Sequence, residues 1–316
     1  MTARSMIDRM GTLIGLILVA IVFGLLIGSQ FFAPGNIELM ARQAAIVCMA
    51  ALGMTVVIAT GGIDLSVGSM IALATVAIAL MLRADYPPAA AALGGVAAAA
   101  ICGLVNGIVI TQLRVVPFIV TLGTMLVVRG AAKGLAEERR IEAPTSWLND
   151  LLRSQSSAVL PGGIWAVIVL ALIVAAVLRY TRFGRHVFAI GSNERMARLC
   201  GVAIGRTKIL VYTLSAALAG MAGLLQFSKL SVGDPTVAIG LELDVIAAVI
   251  IGGGSLTGGR GTVLGTIIGA AIMTIIQIGC SQKGLPNWVQ QIVTGGIIVV
   301  AVALDRVRST RDVTPS

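Results

Sequence analysis

Three segments of the chain carry residues whose types and spacing could do chemistry. The first, Thr60-Gly-Gly-Ile-Asp-Leu-Ser-Val-Gly-Ser69, sets an acid between two long apolar runs. Gly61 and Gly62 would break one helix, and Asp64 or Ser66 can cap the next by accepting from its free N–H groups. That reading is an ordinary turn. An acid so close to apolar runs is also a functional hypothesis by default. The alternative is therefore a conformational hinge or the polar lining of a pathway, with Asp64 the stronger candidate of the two.

The second segment, Gly252-Gly-Gly-Ser-Leu-Thr-Gly-Gly-Arg-Gly261, echoes a phosphate loop through Gly254-x4-Gly259-Arg260. A phosphate loop needs Lys to reach the phosphates, followed by Ser or Thr to hold magnesium. Arg260 and Gly261 stand in those places, and the flanks read as membrane helices. Nucleotide binding is rejected, and the chain is not expected to hydrolyse ATP.

The third segment runs from Ala189 to Gly201. Ser192 or Asn193 suits an N-cap, Glu194 the positive N-terminal end and Arg198 the last turn. Gly201 is a natural stop. The result is a helix of about two turns, roughly 10 Å long at 1.5 Å per residue. Met196, Leu199 and Cys200 share one face through their spacing. Spacing alone leaves two readings open: a short helix lying on the lipid surface, or a knob presented to a cytoplasmic partner.

Catalysis finds little support. His186 is the only histidine, and Cys48, Cys102, Cys200 and Cys280 are widely scattered. They fall at no metal or disulfide spacing. Neither His-Glu-x-x-His nor Gly-x-Ser-x-Gly occurs. No metal site and no cofactor of the chain's own is expected.

The elements that must position these segments are membrane helices. Of 316 residues, 57% are hydrophobic and 12% charged, where a soluble domain carries about 25% charged residues. With mean hydropathy +0.99, lipid has to be the solvent. The net charge of +9 does not point to nucleic acid, because the basic residues sit between apolar runs without a basic and aromatic groove pattern. Runs near the ~20 residues a spanning helix needs fall at Gly11–Phe32, Ala41–Ala59, Leu65–Leu82, Ala89–Thr111, Val115–Leu135, Ile164–Tyr180, Ile209–Phe227, Leu243–Gly252, Thr262–Gly279 and Trp288–Leu304. The first is too long for a signal-peptide core and reads as an uncleaved helix. The eighth is too short to span. It either starts earlier, within Pro235–Glu242, or is a broken helix buried in protein.

With both termini cytoplasmic, about 14 Lys and Arg fall inside and about 7 outside, the direction of the positive-inside rule. The expectation is one all-α transmembrane domain over residues 1–316, a polytopic bundle of about ten helices. Gly11/Gly15, Gly103/Gly107 and Gly261/Gly265/Gly269 recur every four residues. That spacing lets helix backbones approach closely, and it is read as packing within the chain rather than a dedicated dimer face.

Together the three segments resemble the sugar-importer permeases of the ATP-binding cassette superfamily. The nearest group is the ribose, xylose and arabinose type, related to the branched-chain amino acid permeases. The likeness is carried by Gly53-Met-Thr-Val-Val-Ile-Ala-Thr-Gly-Gly-Ile-Asp-Leu-Ser-Val-Gly68, by Gly191-Ser-Asn-Glu-Arg-Met-Ala-Arg-Leu-Cys-Gly201 and by Asp244-Val-Ile-Ala-Ala-Val-Ile-Ile-Gly-Gly-Gly-Ser-Leu-Thr-Gly-Gly-Arg-Gly-Thr262. It implies a permease in the bacterial inner membrane working as a pair, with an identical copy or a paralogue. Cytoplasmic ATPases that bind ATP and magnesium would drive it, and a periplasmic binding protein would deliver sugar. The segment Glu194 to Gly201 matches the family's coupling helix, which assigns Asn193, Glu194, Arg195, Met196, Ala197, Arg198, Leu199 and Gly201 to ATPase docking. Met196 and Cys200 stand where small or polar residues are more usual in the group.

The expected function is uptake of a monosaccharide or related polyol by alternating access. Candidates for the pathway or its hinge are Gly61, Gly62, Asp64, Ser66, Asn106, Thr111, Glu242 and Asp244; Asp244 could instead cap the eighth helix. The rival is an ion-coupled secondary transporter, which also uses broken helices but usually buries ionisable residues at mid-membrane.

Overall fold

The computed structural model describes residues 3–153 and 160–311, with side chains described for 11–153 and 160–303. The side chains of Arg4, Arg9, Arg306, Arg308 and Arg311, which enter the charge count above, lie outside those described. Among the described residues the helices are α1 (Ala3–Ile27), α2 (Pro34–Ala59), α3 (Val67–Arg83), α4 (Pro88–Gln112), α5 (Pro117–Leu135), α6 (Gly162–Tyr180), α7 (Arg182–Ser192), α8 (Glu194–Leu199), α9 (Ile204–Leu230), α10 (Leu241–Ile251), α11 (Val263–Gln282) and α12 (Asn287–Arg311). Ten of the twelve match the expected spans one for one. The other two, α7 and α8, lie between the sixth and seventh expected spans.

Among the described residues, six helices are long and apolar enough to cross a membrane: α2, α4, α5, α6, α9 and α11. Shorter apolar stretches lie in α1, α3 and α12. The bundle is layered by burial. From Ala45 to Ala59 every residue of α2 is buried, and so is nearly all of α3, as expected of helices that are apolar all round. They form the centre. Around them, α1, α4, α5 and α6 expose Leu25, Leu93, Val127 and Leu172, side chains that only hydrocarbon can solvate.

The eighth expected span proves to be the broken helix. At 11 residues α10 is about 16 Å long, roughly half of a ~30 Å hydrocarbon core. Its Val245, Ala247, Ala248 and Val249 are wholly buried. The preceding segment, 231–240, dips into the bundle instead of staying outside. Thr75 of α3 donates to the Asp234 carbonyl and accepts from its N–H. Arg129 of α5 donates to the Pro235 and Val237 carbonyls at 3.1 and 2.7 Å. A two-residue antiparallel clip, Ile141–Glu142 against Val232–Gly233, pins the start of the segment.

Small residues set the helix spacing. A Cβ on Gly103 would lie 2.3 Å from Ala216 Cβ and 2.4 Å from the Tyr212 carbonyl, and one on Gly107 2.7 Å from Ile209 Cα. So α4 rests directly on α9. The Gly265 and Gly269 pair packs likewise on the Gly252 and Ala248 carbonyls of the α10 end. Two parts of the expected pattern differ. Gly261 precedes α11 and lies in the loop, because Thr262 caps the helix by accepting from Gly265 N–H. Gly11 has open space around it, and Gly15 makes only an ordinary contact with Ile272; α1 packs on α11 through Phe23 against Gly279.

Gly103→Leu should therefore push α4 off α9, at a cost of about 1–3 kcal/mol for overpacking. Gly123→Leu, on α5 where nothing lies within 4 Å, should leave stability nearly unchanged. Thermal melting of the two variants in detergent checks the difference.

Candidate functional site

The segment from Thr181 to Gly201 is built from its caps outward. Thr181 caps α7 by accepting from Gly184 N–H. Asn193 then caps α8, its Oδ1 accepting from Met196 N–H at 3.0 Å. Ser192, the other cap candidate, is instead the last residue of α7. At the far end Gly201 takes φ +82°, a conformation that costs a residue with a Cβ about 1–2 kcal/mol. Its N–H donates to the Arg198 carbonyl and Val202 N–H to the Ala197 carbonyl, the pair of bonds that define a Schellman stop.

Glu194 does more than suit the helix dipole. It accepts from Lys208 of α9 at 2.7 Å and from Arg198 at 3.3 Å. The hydrogen bond from Lys208 and the nearby Arg198 charge outweigh partial burial and hold the Glu194 carboxyl below its ordinary range. A depressed carboxyl contributes stability above the unfolded value of about 4.3 and loses it as pH falls through the folded value. The clamp is therefore fully formed at neutral pH. Ala197 is buried, whereas Leu199 is 81% and Met196 56% exposed, and Cys200 is exposed beside them. The apolar face read from spacing is real, and it points away from the bundle.

Below this helix the three sequence segments meet. The Gly259 N–H donates to the Ala59 carbonyl at the end of α2. A Cβ on Gly191 would lie 1.9 Å from that same carbonyl and 2.4 Å from the Gly259 nitrogen. Gly258 packs on the Gly61 and Gly191 backbones. The ends of α2, α7 and the α10–α11 loop thus touch backbone to backbone. Helix α2 closes like α8, with Gly61 N–H donating to Ile58 and Gly62 N–H to Val57; α10 does the same through Gly253 and Gly254.

The expected pathway residues separate into three places. Asp64, Ser66 and Asn106 come together, fully buried. Ser66 donates to Asp64 Oδ1 from N at 2.9 Å and from Oγ at 2.5 Å. Asn106 donates to Ser66 Oγ at 3.1 Å and accepts from Thr124 at 2.6 Å, while Thr121 donates to the Ile63 carbonyl. The loop 60–66 is therefore tied to α4 and α5. Neither Asp64 nor Ser66 caps α3 with its side chain, because Asp64 turns to Ser66 instead. Thr111 stays apart; its hydroxyl donates to the Gly107 and Ile108 carbonyls of its own helix.

Glu242 and Asp244 lie at the start of α10. Glu242 accepts from Gly240 N–H and packs against Gly68 of α3. Asp244 accepts from Gln277 of α11 at 2.6 Å, so its capping of α10 is not what the structure forms. Sequence reasoning missed Thr124, Thr121, Lys208, Gln277 and Arg129. Only Arg129 carried a signal, as a charge inside an apolar span.

The family model described as "Branched-chain amino acid transport system / permease component" matches residues 36–302. The chain belongs to that permease family. The ribose import permease protein of Bacillus subtilis is 36% identical over 306 residues, covering 96% of this chain and 95% of that protein. The L-arabinose ABC transporter permease protein of Azospirillum brasilense is 36% identical over 279 residues, 88% of this chain and 82% of its own. The fructose import permease protein of Rhizobium meliloti is 34% identical over 303 residues, 93% and 84% of the two chains. No solved structure matches. The chain is a multi-pass permease of a bacterial ABC importer; it is not itself the ATPase, and its partners are an ATPase, which binds the ATP, and a binding protein. The ion-coupled alternative is set aside on that ground.

Asn106→Ala would leave Thr124 without its acceptor and Ser66 without a donor, a loss of about 1–3 kcal/mol. Thr111→Ala should cost less than about 0.5 kcal/mol. Comparing the melting temperatures of the two purified permease variants checks this.

Proposed function

We propose that the chain is the permease subunit through which ATP-driven import moves a monosaccharide across the inner membrane by alternating access. In this reading it works with a second copy or a paralogue, and both of its ends lie in the cytoplasm. The substrate class is suggested by the relatives, which are named for ribose, arabinose and fructose.

The observation that carries the coupling role is the contrast within α8. Its outer face is exposed and apolar at Met196 and Leu199, while its base is fixed by the Asn193 cap and the Glu194–Lys208 ion pair. A rigid knob of this kind suits a groove on a partner. The docking set is Asn193, Glu194, Arg195, Met196, Ala197, Arg198, Leu199 and Gly201. Movement of the ATPase would pass from α8 to Gly191, and from there to Ala59 and Gly259, where α2 and the α10–α11 loop abut. Gly61, Gly62, Asp64, Ser66 and Asn106 then act as the hinge. Their network is buried and ties the loop to α4 and α5, with Asp64 Oδ2 alone of its oxygens unmet, so its role is to move the loop as a unit.

The test is reconstitution with the cognate ATPase and binding protein. Wild type should take up one of ribose, arabinose or fructose in an ATP-dependent way. Glu194→Ala, which frees the base of α8, and Gly201→Pro, which forbids φ +82° and removes a donor, should drop sugar-stimulated ATPase activity to near the unstimulated level with the permease still in the membrane. Unchanged coupling in both variants would end the docking assignment.

A further inference from the structure

The cleft between α10, α11 and α12 is not absorbed by the coupling machinery. It is an open cleft of about 500 Å³ whose polar lining is Asp244, Gln277, Asn287, Gln290, Gln291 and Thr294, with Ile239, Leu243 and Ile298 as its apolar wall. Four of the polar residues come from one helix. At 100° per residue, Asn287, Gln290, Gln291 and Thr294 of α12 fall within one stripe, while Ile292, Val299 and Val300 of the same helix are exposed at other angles. Polar side chains turned to hydrocarbon are costly, so a stripe of three amides and a hydroxyl belongs against water or a polar ligand.

We propose that this cleft is a transit subsite that hydrogen-bonds the hydroxyls of the translocated solute, with the α12 stripe as its specificity-determining wall; the proposal rests on the monosaccharide reading above. The chemistry of the lining fits a neutral polyol. Each Asn and Gln amide both donates and accepts, Thr does the same, and no Lys or Arg lines the cleft. Gln290 is oriented by donating to the Leu285 carbonyl at 2.8 Å. Gln277 is held by Asp244, which leaves its carbonyl oxygen free to accept. The volume lies within the ~300–1,000 Å³ of small-molecule sites, and no aromatic side chain lines the cleft to add a stacking platform. Such a site holds a sugar weakly, as transit requires. The lining reaches from Asn287 to Ile298, about 16 Å along the axis at 1.5 Å per residue. That is from the start of α12 to roughly the middle of the bilayer, alongside the half-length helix α10.

The experiment uses the assembled transporter in vesicles, with Cys48, Cys102, Cys200 and Cys280 replaced by serine or alanine. Gln291→Cys, Thr294→Cys and Ile292→Cys are each exposed to a membrane-impermeant cationic methanethiosulfonate. We expect the first two to be modified at least tenfold faster than Ile292→Cys, with excess transported sugar slowing them. Gln291→Leu and Thr294→Val should lower maximal uptake at least fivefold, with co-purification of the ATPase confirming assembly. Labelling of Gln291→Cys and Thr294→Cys no faster than Ile292→Cys would overturn the proposal, since the stripe would then be sealed against lipid or a second copy. Wild-type uptake in both apolar variants would overturn it as well. If wild type moves no monosaccharide, the substrate reading fails, and the labelling rates still decide whether water and solute enter the cleft.

Discussion

A backbone in hydrocarbon has nowhere to send an unmet N–H or carbonyl except to another part of the protein. Every interruption in this bundle obeys that constraint. Helices α2, α8 and α10 stop within the protein or at its surface, and each closes its last turn with the same pair of backward bonds through a glycine or its successor. Where one helix end still offers a carbonyl, as Ala59 does, a glycine loop from elsewhere supplies the donor. The dipping segment before α10 is met in the same way by Thr75 and Arg129.

That solution also brings distant segments into direct contact. Glycine at 191, 258 and 259 lets three main chains come into direct contact, with no side chain between them to deform. Protein interiors are close-packed and bistable rather than elastic, so a displacement at α8 has little slack to disappear into. The clamp from Glu194 to Lys208 joins the same helix to α9, and α9 in turn lies glycine-close against α3 and α4.

The polar groups of the interior divide by what they can reach. Asp64, Ser66 and Asn106 bond to one another and to Thr124, with Asp64 Oδ2 left unmet. The net gain of each such bond is about 0.5–1.5 kcal/mol, but a buried partner left unmet costs about 1–3. Removal is therefore more damaging than formation is helpful. In the dipping segment, burial pushes the Asp234 carboxyl up, yet the hydrogen bonds from Thr236 and the Arg140 charge outweigh it and hold the group below its usual range. The segment leading into α10 is thus anchored at its middle, by Arg140 on Asp234 and by Arg129 on the next carbonyls.

Much of this was legible in the chain itself, because the physics involved is local. Apolar length and scarcity of charge determined that lipid is the solvent. Asn193, Glu194 and Gly201 determined where α8 starts and stops, since caps act within one turn. The glycine spacing in α4 and α11 marked helix faces that sit on neighbours. Tertiary structure alone decided which neighbours those are, that Gly11 sits in open space, that Gly261 belongs to a loop, and that Asp64 binds Ser66 while Asp244 binds Gln277. It also decided that the segments around 60, 191 and 258 meet at one point. Such pairings join residues up to about two hundred positions apart, and a hydrogen-bonding side chain carries no mark of its partner until the packing of whole helices brings the two together.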